Sequence, residues 1–204
     1  MRAGFDLLGG ILTADDLIAF EKEVAAAFES GTIRGPIHLS GGNERQLIDI
    51  FKNISREDWV SSTYRNHFHA LLHGVPRAYV MAEILAGRNM NLFSPEHRFF
   101  TSAIVGGTLS IATGVAYGLK GTGRRVWCFV GDMAASTGAY WEASRYAARN
   151  ALPITFVIED NGYSANSPTR ECWGTSAGGF ATRETGYAYE RVYPHAGIGK
   201  WVNF

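Results

Sequence analysis

Apolar and polar positions alternate along the chain in a few regular segments. Between Thr13 and Gly31, Leu17, Phe20, Val24 and Phe28 recur at helical spacing, Thr13 stands where a cap is needed, and Asp15 and Asp16 suit a first turn. That stretch predicts a helix ended by Gly31. The loop GPIHLSGGNERQ leads into a second helix near Gln46 to Lys52, and Ser55 is expected to cap a third running toward Tyr64. Pro76 opens PRAYVMAEILAG, which closes at Gly87 with the proline-first, glycine-last order of a helix. Arg88 to Thr101 shows no period and reads as irregular. The next helix, AIVGGTLSIATGVAYGLKG, carries Gly107, Ser110, Gly114 and Gly118 along one side, a stripe expected to pack tightly against another helix.

The centre of the chain is the most regular part. RRVWCFV reads as a buried strand, STGAYWEASRYAARN as a helix and LPITFVIE as a second strand. A strand–helix–strand unit of about thirty residues is the size of a parallel crossover. Both strands then open on one edge of the sheet, the edge where open α/β sheets bind ligands. The pattern predicts an α/β fold, doubly wound, with a mostly parallel sheet flanked by helices. The whole of 1–204 reads as a single domain, with an N-terminal helical extension (1–40), a core (41–167) and a tail (168–204) that is a candidate interface.

Composition narrows the classes. With 204 residues and 46% hydrophobic content, the chain can bury one sizeable core. Nineteen basic and 19 acidic residues balance, which argues against nucleic acid or an anionic membrane surface as partner. Two cysteines, Cys128 and Cys172, make no disulfide framework and suit a reducing, cytoplasmic compartment. MRAGFDLLGGIL holds an acid and two glycines in its short apolar stretch, so no signal peptide is expected, nor any transmembrane helix.

Candidate chemistry gathers at the sheet edge. Asp132 follows the first strand, in FVGDMAASTG, and Asn161 lies in EDNGYS at the end of the second. Parallel pairing brings the two together. A carboxylate and an amide oxygen are hard ligands suited to Mg²⁺, which completes its octahedron with phosphate oxygens and water. The small residues Ala134 and Ala135 leave room for an anion at the start of the following helix.

The segment GDMAASTGAYWEASRYAARNALPITFVIEDNGYS resembles the thiamine-diphosphate motif, which runs from Gly-Asp-Gly to an Asn some thirty residues on. With TYRNHFHALLHGV, MAEILAG and AIVGGTLSIATGVAYGLK upstream in order, residues 41–167 resemble the alpha subunit of 2-oxo acid dehydrogenase first components. Those include the pyruvate, branched-chain and acetoin dehydrogenases. The resemblance implies the diphosphate-binding domain of the thiamine-diphosphate fold. It further implies that Asp132, the Asn161 side chain and the Tyr163 carbonyl hold Mg²⁺, and that Tyr64 and Arg65 meet the diphosphate. Ala103 and Val105 would contact the aminopyrimidine by their backbone, Met133 and Ala134 would follow the metal-binding Asp, and His67 would assist proton transfer. A beta-type subunit would supply the pyrimidine-binding domain and its activating Glu in a two-alpha two-beta assembly, with a lipoyl-bearing acyltransferase as a further partner. The chain alone would then be inactive. Met133 stands where the family has Gly, and YPHAGIGKWVNF does not align.

Other groups carry weaker signals. His69 and His73, four apart, could share a face as zinc ligands, but no third ligand presents itself, and a surface or interface place is expected for both. His195 has no evident partner. Glu142 is expected to be solvated or at an interface, and Tyr140, Trp141 and Tyr146 to be core or subunit contacts. Three other readings stay open: a transketolase-like transfer or simple decarboxylation with the same cofactor, a non-catalytic subunit that stabilises or regulates a partner, and an unrelated nucleotide-binding domain. The last lacks the G-x-G-x-x-G turn it would need.

Overall fold

The computed structural model describes residues 12–174 and 184–199. The N-terminal stretch judged above, apart from Leu12, lies outside them, as do parts of the tail. The strands are β1 (Trp59–Ser62), β2 (Phe93–Ser94), β3 (Phe99–Thr101), β4 (Val126–Gly131), β5 (Ile154–Asp160), β6 (Tyr163–Ser164), β7 (Ser167–Pro168) and β8 (Glu184–Ala188). Six of them form one sheet in the order β2-β3-β1-β4-β5-β8, and β6 and β7 form a separate small hairpin. Within the six-stranded sheet every pairing is parallel except β2 with β3.

The helices are α1 (Ala14–Glu29), α2 (Glu44–Phe51), α3 (His67–His73), α4 (Arg77–Leu85), α5 (Gly107–Gly118), α6 (Asp132–Ala135), α7 (Gly138–Arg149) and α8 (Thr169–Trp173). Strand side chains alternate between two helical layers, as the pleat requires. Trp127, Phe129 and Val157 join a core with α1 to α4 on one face, while Val126, Cys128, Val130, Ile154, Phe156 and Ile158 join α5 and α7 on the other. Two layers of helices around a mostly parallel sheet make the α/β doubly wound architecture that the pattern predicted. No helix among the described residues is long and apolar enough to cross a membrane.

Helix α1 begins as its sequence implies. Thr13 accepts from the Asp16 backbone N–H, and the Asp16 carboxylate accepts from the Thr13 backbone N–H at 2.8 Å, a reciprocal capping box. The expected helix after Ser55 does not form. Ser55 makes a turn instead, its N–H donating to Asp58 Oδ2 at 3.0 Å, and the next residues enter the sheet as β1 between β3 and β4. Arg88 to Thr101 is not irregular throughout, since Phe99–Thr101 is a parallel sheet strand and Pro95–His97 a 3₁₀ turn.

Of the small residues along α5, Gly107 is half-buried, and the other three find no close helix among the described residues. Ser110, Gly114 and Gly118 are exposed, while Leu109, Ala112, Thr113 and Ala116 make the buried side. His69 and His73 are not surface residues: they are 1% and 2% exposed, because all seven residues of α3 are enclosed. Tyr140 is core, whereas Trp141, Glu142 and Tyr146 are exposed. The described part of the tail folds back on the start of the chain. Gly197 N–H donates to Ile37 O at 2.9 Å, and a Cβ on Gly42 would fall 2.0 Å from the Glu190 carbonyl oxygen, so only glycine fits there.

Candidate functional site

The β4–β5 register sets Val130 opposite Ile158 and Gly131 opposite Glu159, so both strands run out on one edge. Asp132 stands at the start of α6, directly after β4, and is 1% exposed. Its Oδ2 accepts a hydrogen bond from the Thr169 hydroxyl, while its Oδ1 is buried with no hydrogen-bond partner. Burial raises the Asp132 carboxyl above the usual carboxylate range, and the neighbouring Asp160 charge pushes the same way. A buried carboxylate oxygen without a donor is costly unless something positive completes it.

The loop after β5 is held by its own side chains. Gly162 N–H donates to Asp160 Oδ1 at 2.9 Å and Tyr163 N–H to Asn161 Oδ1 at 3.0 Å, two successive Asx turns. Asn161 Nδ2 donates to the Tyr189 hydroxyl at 3.0 Å. The Arg191 guanidinium lies 5.2 Å from the centre of the Tyr163 ring.

These elements border a cleft open to solvent. Seven of the residues marked in the sequence line it: Tyr64, Arg65, Val105, Met133, Ala134, Asn161 and Tyr163. Asp132 lies between two lining residues, Gly131 and Met133, with its carboxylate enclosed. Ala103 does not line the cleft, though its neighbours Ser102 and Ile104 do, and its N–H donates to Asn91 Oδ1 at 3.0 Å.

His67 stands away from the cleft. It is fully buried, its Nδ1 lies 3.1 Å from Glu21 Oε1, and it is not among the residues that line the cleft. The same Glu21 oxygen accepts from Ser40 N–H at 3.0 Å, so Glu21 ties His67 of α3 to α1 and to the loop before α2. Among the described residues no three of His, Cys, Asp and Glu gather as a metal-ligating group.

Several cleft groups carried no local signal. Asn43 and Glu159 line the floor, with Asn43 Nδ2 3.3 Å from Glu159 Oε1. His195 has partners after all: its ring lies 4.7 Å from that of His38 and 5.7 Å from that of Tyr64. Its carbonyl accepts from Arg65 Nη2 at 3.2 Å and lies 2.7 Å from His38 Nδ1. Burial pushes His38 down to about 4, so the neutral ring carries its proton on Nδ1 and donates it. Arg65 Nη1 donates to the Leu39 carbonyl. Only the phrase around Tyr64 and Arg65 hinted at this cluster beside the cleft, because its other members, His38, Leu39 and His195, are distant in sequence.

The model of the dehydrogenase E1 component family matches residues 13–189. The chain belongs to that family. It is 35% identical over 161 residues to the pyruvate dehydrogenase E1 component subunit alpha of Porphyra purpurea, covering 70% of this chain and 47% of that protein. The corresponding subunit of Rickettsia bellii is 33% identical over 157 residues, covering 71% and 48%. The chloroplastic alpha-3 subunit of Arabidopsis thaliana is 33% identical over 174 residues, covering 74% and 40%. The chain thus spans about half the length of the curated relatives it matches.

The donor set suits a small hard cation. One enclosed carboxylate oxygen has no partner, an amide oxygen stands on the adjacent loop, and the backbone of Tyr163 follows. Met133 does not disturb the backbone here. It takes ordinary helical geometry in α6, where no left-handed torsion asks for glycine, and its Sδ accepts from Trp173 Nε1–H at 2.8 Å.

Proposed function

We propose that this chain is the alpha-type subunit of a thiamine-diphosphate- and Mg²⁺-dependent enzyme that decarboxylates a 2-oxo acid such as pyruvate and passes on the acyl or aldehyde unit. A beta-type subunit completes its active site. The observation that carries the reading is Asp132, an enclosed carboxylate with one unpartnered oxygen at the parallel β4–β5 edge beside Asn161. Bound thiamine diphosphate supplies an electron sink for breaking the bond to the carboxylate carbon. The protein's part is to hold and orient it. Asp132, Asn161 and the Tyr163 carbonyl hold the cation, Tyr64 and Arg65 meet the diphosphate, and Met133 and Ala134 wall the cleft beside it. Val105 offers backbone groups to the ring, and Ala103, whose N–H is engaged by Asn91, has its carbonyl left for it. A lipoyl-bearing acyltransferase is the expected acceptor, in a two-alpha two-beta assembly of the cytoplasm.

A stabilising, non-catalytic subunit is the second reading. It is favoured by Arg65, whose guanidinium is engaged by the carbonyls of Leu39 and His195. One titration separates the two. Thiamine diphosphate with Mg²⁺ is titrated calorimetrically into the chain alone, into its complex with the beta-type subunit, and into the Asp132→Ala complex. Uptake that needs the partner and vanishes in the variant supports the catalytic reading. A complex that takes up no cofactor overturns it and leaves the structural subunit.

A further inference from the structure

Asp132 Oδ1 is unpartnered, and the side chain that holds the carboxylate, beside the backbone N–H groups of Asp132 and Met133, comes from beyond the ligand-bearing loop. After Tyr163 the chain reverses through the β6–β7 hairpin, where Tyr163 pairs with Pro168 and Ser164 with Ser167. Thr169 then sits back over the loop, its N–H donating to the Gly162 carbonyl at 2.9 Å. The side chain is 1% exposed and its hydroxyl donates to Asp132 Oδ2. At the other end of the same short helix, Trp173 Nε1–H reaches Met133 Sδ at 2.8 Å. Helix α8 therefore grips α6 at two successive residues, Asp132 and Met133.

The consequence lies in the carboxylate's torsion. An Asp χ2 is a broad, roughly two-fold rotor, so a carboxylate with two free oxygens has no fixed aim. A hydroxyl carries one hydrogen, and here it goes to Oδ2, which leaves Oδ1 enclosed and unpartnered. We propose that Thr169 is a positioning residue: its hydroxyl fixes the Asp132 carboxylate so that Oδ1 faces the divalent cation. Through its N–H bond to Gly162 it also ties the Asn161–Tyr163 loop to the end of β4, so both ligand-bearing segments are set by one residue. This rests on the function proposed above, and it concerns this chain's own hydrogen bond, not the chemistry of the bound group. Partners behind a metal ligand typically account for 10- to 100-fold in metal affinity.

The test uses the full chain assembled with its beta-type subunit, saturating thiamine diphosphate, and Mn²⁺ as a paramagnetic probe titrated by electron paramagnetic resonance. Thr169→Val removes the donor at nearly constant shape, Thr169→Ser keeps it, and Thr169→Ala serves if the valine variant fails to assemble. The melting temperature of each metal-free complex is recorded beside the titration. Expected is a loss of roughly 10- to 100-fold in Mn²⁺ affinity for the valine or alanine variant, with serine restoring affinity to within a few-fold. Wild-type affinity in the variant without the hydroxyl overturns the positioning role and leaves the proposed function standing. So does a serine variant as weak as the valine one, since the hydroxyl would then not be the cause. A wild-type complex that binds no Mn²⁺ overturns the proposed function, and this inference with it.

Discussion

Glu159 and Tyr187 stand opposite one another on adjacent parallel strands, and the Tyr187 hydroxyl donates to Glu159 Oε1. The same oxygen lies 3.3 Å from Asn43 Nδ2 and 3.2 Å from His69 Nε2. Three donors from three separate segments thus converge on one oxygen of a carboxylate that is only 5% exposed. Such convergence makes the burial of a charge tolerable, because hydrogen bonds to an ionised group are the strong ones. The Tyr187 hydroxyl is pushed well above its ordinary value, first by burial and then by the Glu159 charge, so it keeps its proton and remains a donor. Glu159 therefore joins β5, β8, α3 and the loop before α2 at the cleft floor.

Removing one donor should cost less than removing the shared acceptor. Tyr187→Phe leaves Asn43 and His69 on Glu159 and is expected to lower stability by about 1–2 kcal/mol. Glu159→Leu takes the shared acceptor from all three, leaving Asn43 and Tyr187 only their mutual bond at 3.0 Å and His69 Nε2 none, and is expected to cost more than that. Urea unfolding of both variants checks the order. A Tyr187→Phe loss as large as that of Glu159→Leu would show that the three donors do not share the carboxylate.

Asp132 should show the opposite sign for stability and for binding. In the metal-free protein its Oδ1 is a buried, uncompensated oxygen, which destabilises the fold around it. Asp132→Asn removes the charge at the same size and keeps an oxygen for Thr169. The expected metal-free melting temperature equals or exceeds that of the wild type. Wild type in complex with its partner should gain about 2.7 kcal/mol from Mg²⁺ and thiamine diphosphate at a hundred times Kd, and the variant should gain none. Thermal melts with and without the cofactor pair read both effects. A variant that melts lower without cofactor would make Asp132 a structural residue.

Thr13→Ala should be felt through α1, although Thr13 is on the surface. Both halves of its capping box are formed, and the helix they start buries Leu17, Phe20, Val24 and Phe28. A loss of about 0.5–2 kcal/mol in unfolding free energy is expected, against a few tenths for Thr13→Gly. Equal stability of the alanine variant and wild type would mean that packing alone sets the start of α1.

Legibility in the sequence followed the range of each signal. The α1 cap and the crossover that brings the ends of β4 and β5 to one edge were readable, because periodicity and parallel topology reach that far. Strand β1 was not. WVSS is four residues long, three of them buried, so it has neither the alternation nor the length that marks a strand. Phe99–Thr101 is shorter still, and its place beside β1 is decided by pairing, not by composition. The contacts that shape the site are longer in range: Thr169 meets Asp132 from 37 residues away and Glu159 meets His69 from 90. No local pattern announces such pairs. His67 follows Tyr64 and Arg65, which line the cleft, yet α3 turns it inward onto Glu21, a partner 46 residues away that no local pattern marks.

Acid should weaken the fold through the histidines that burial keeps neutral. His73 is 2% exposed, and it faces Arg56, His97 and Arg98 as well as the backbone of Asp58. Burial first, and the Arg56 charge second, push it from the ordinary 6.5 down to about 3. Between those values the unfolded chain binds a proton that the folded chain refuses. Stability is therefore full above pH 6.5 and falls as the pH drops toward 3, by at most about 1.4 kcal/mol per pH unit for this one group. His38, held at about 4 by its own burial, adds a second proton over the upper part of the same window. Replacing the ring as His73→Leu removes one of the two protons. Unfolding free energies measured in urea at pH 7 and pH 5 should then differ less in the variant than in the wild type, by up to roughly 2 kcal/mol. An identical difference in both proteins would mean that the folded chain admits a proton at His73, and the enclosure of α3 would be looser than its burial implies.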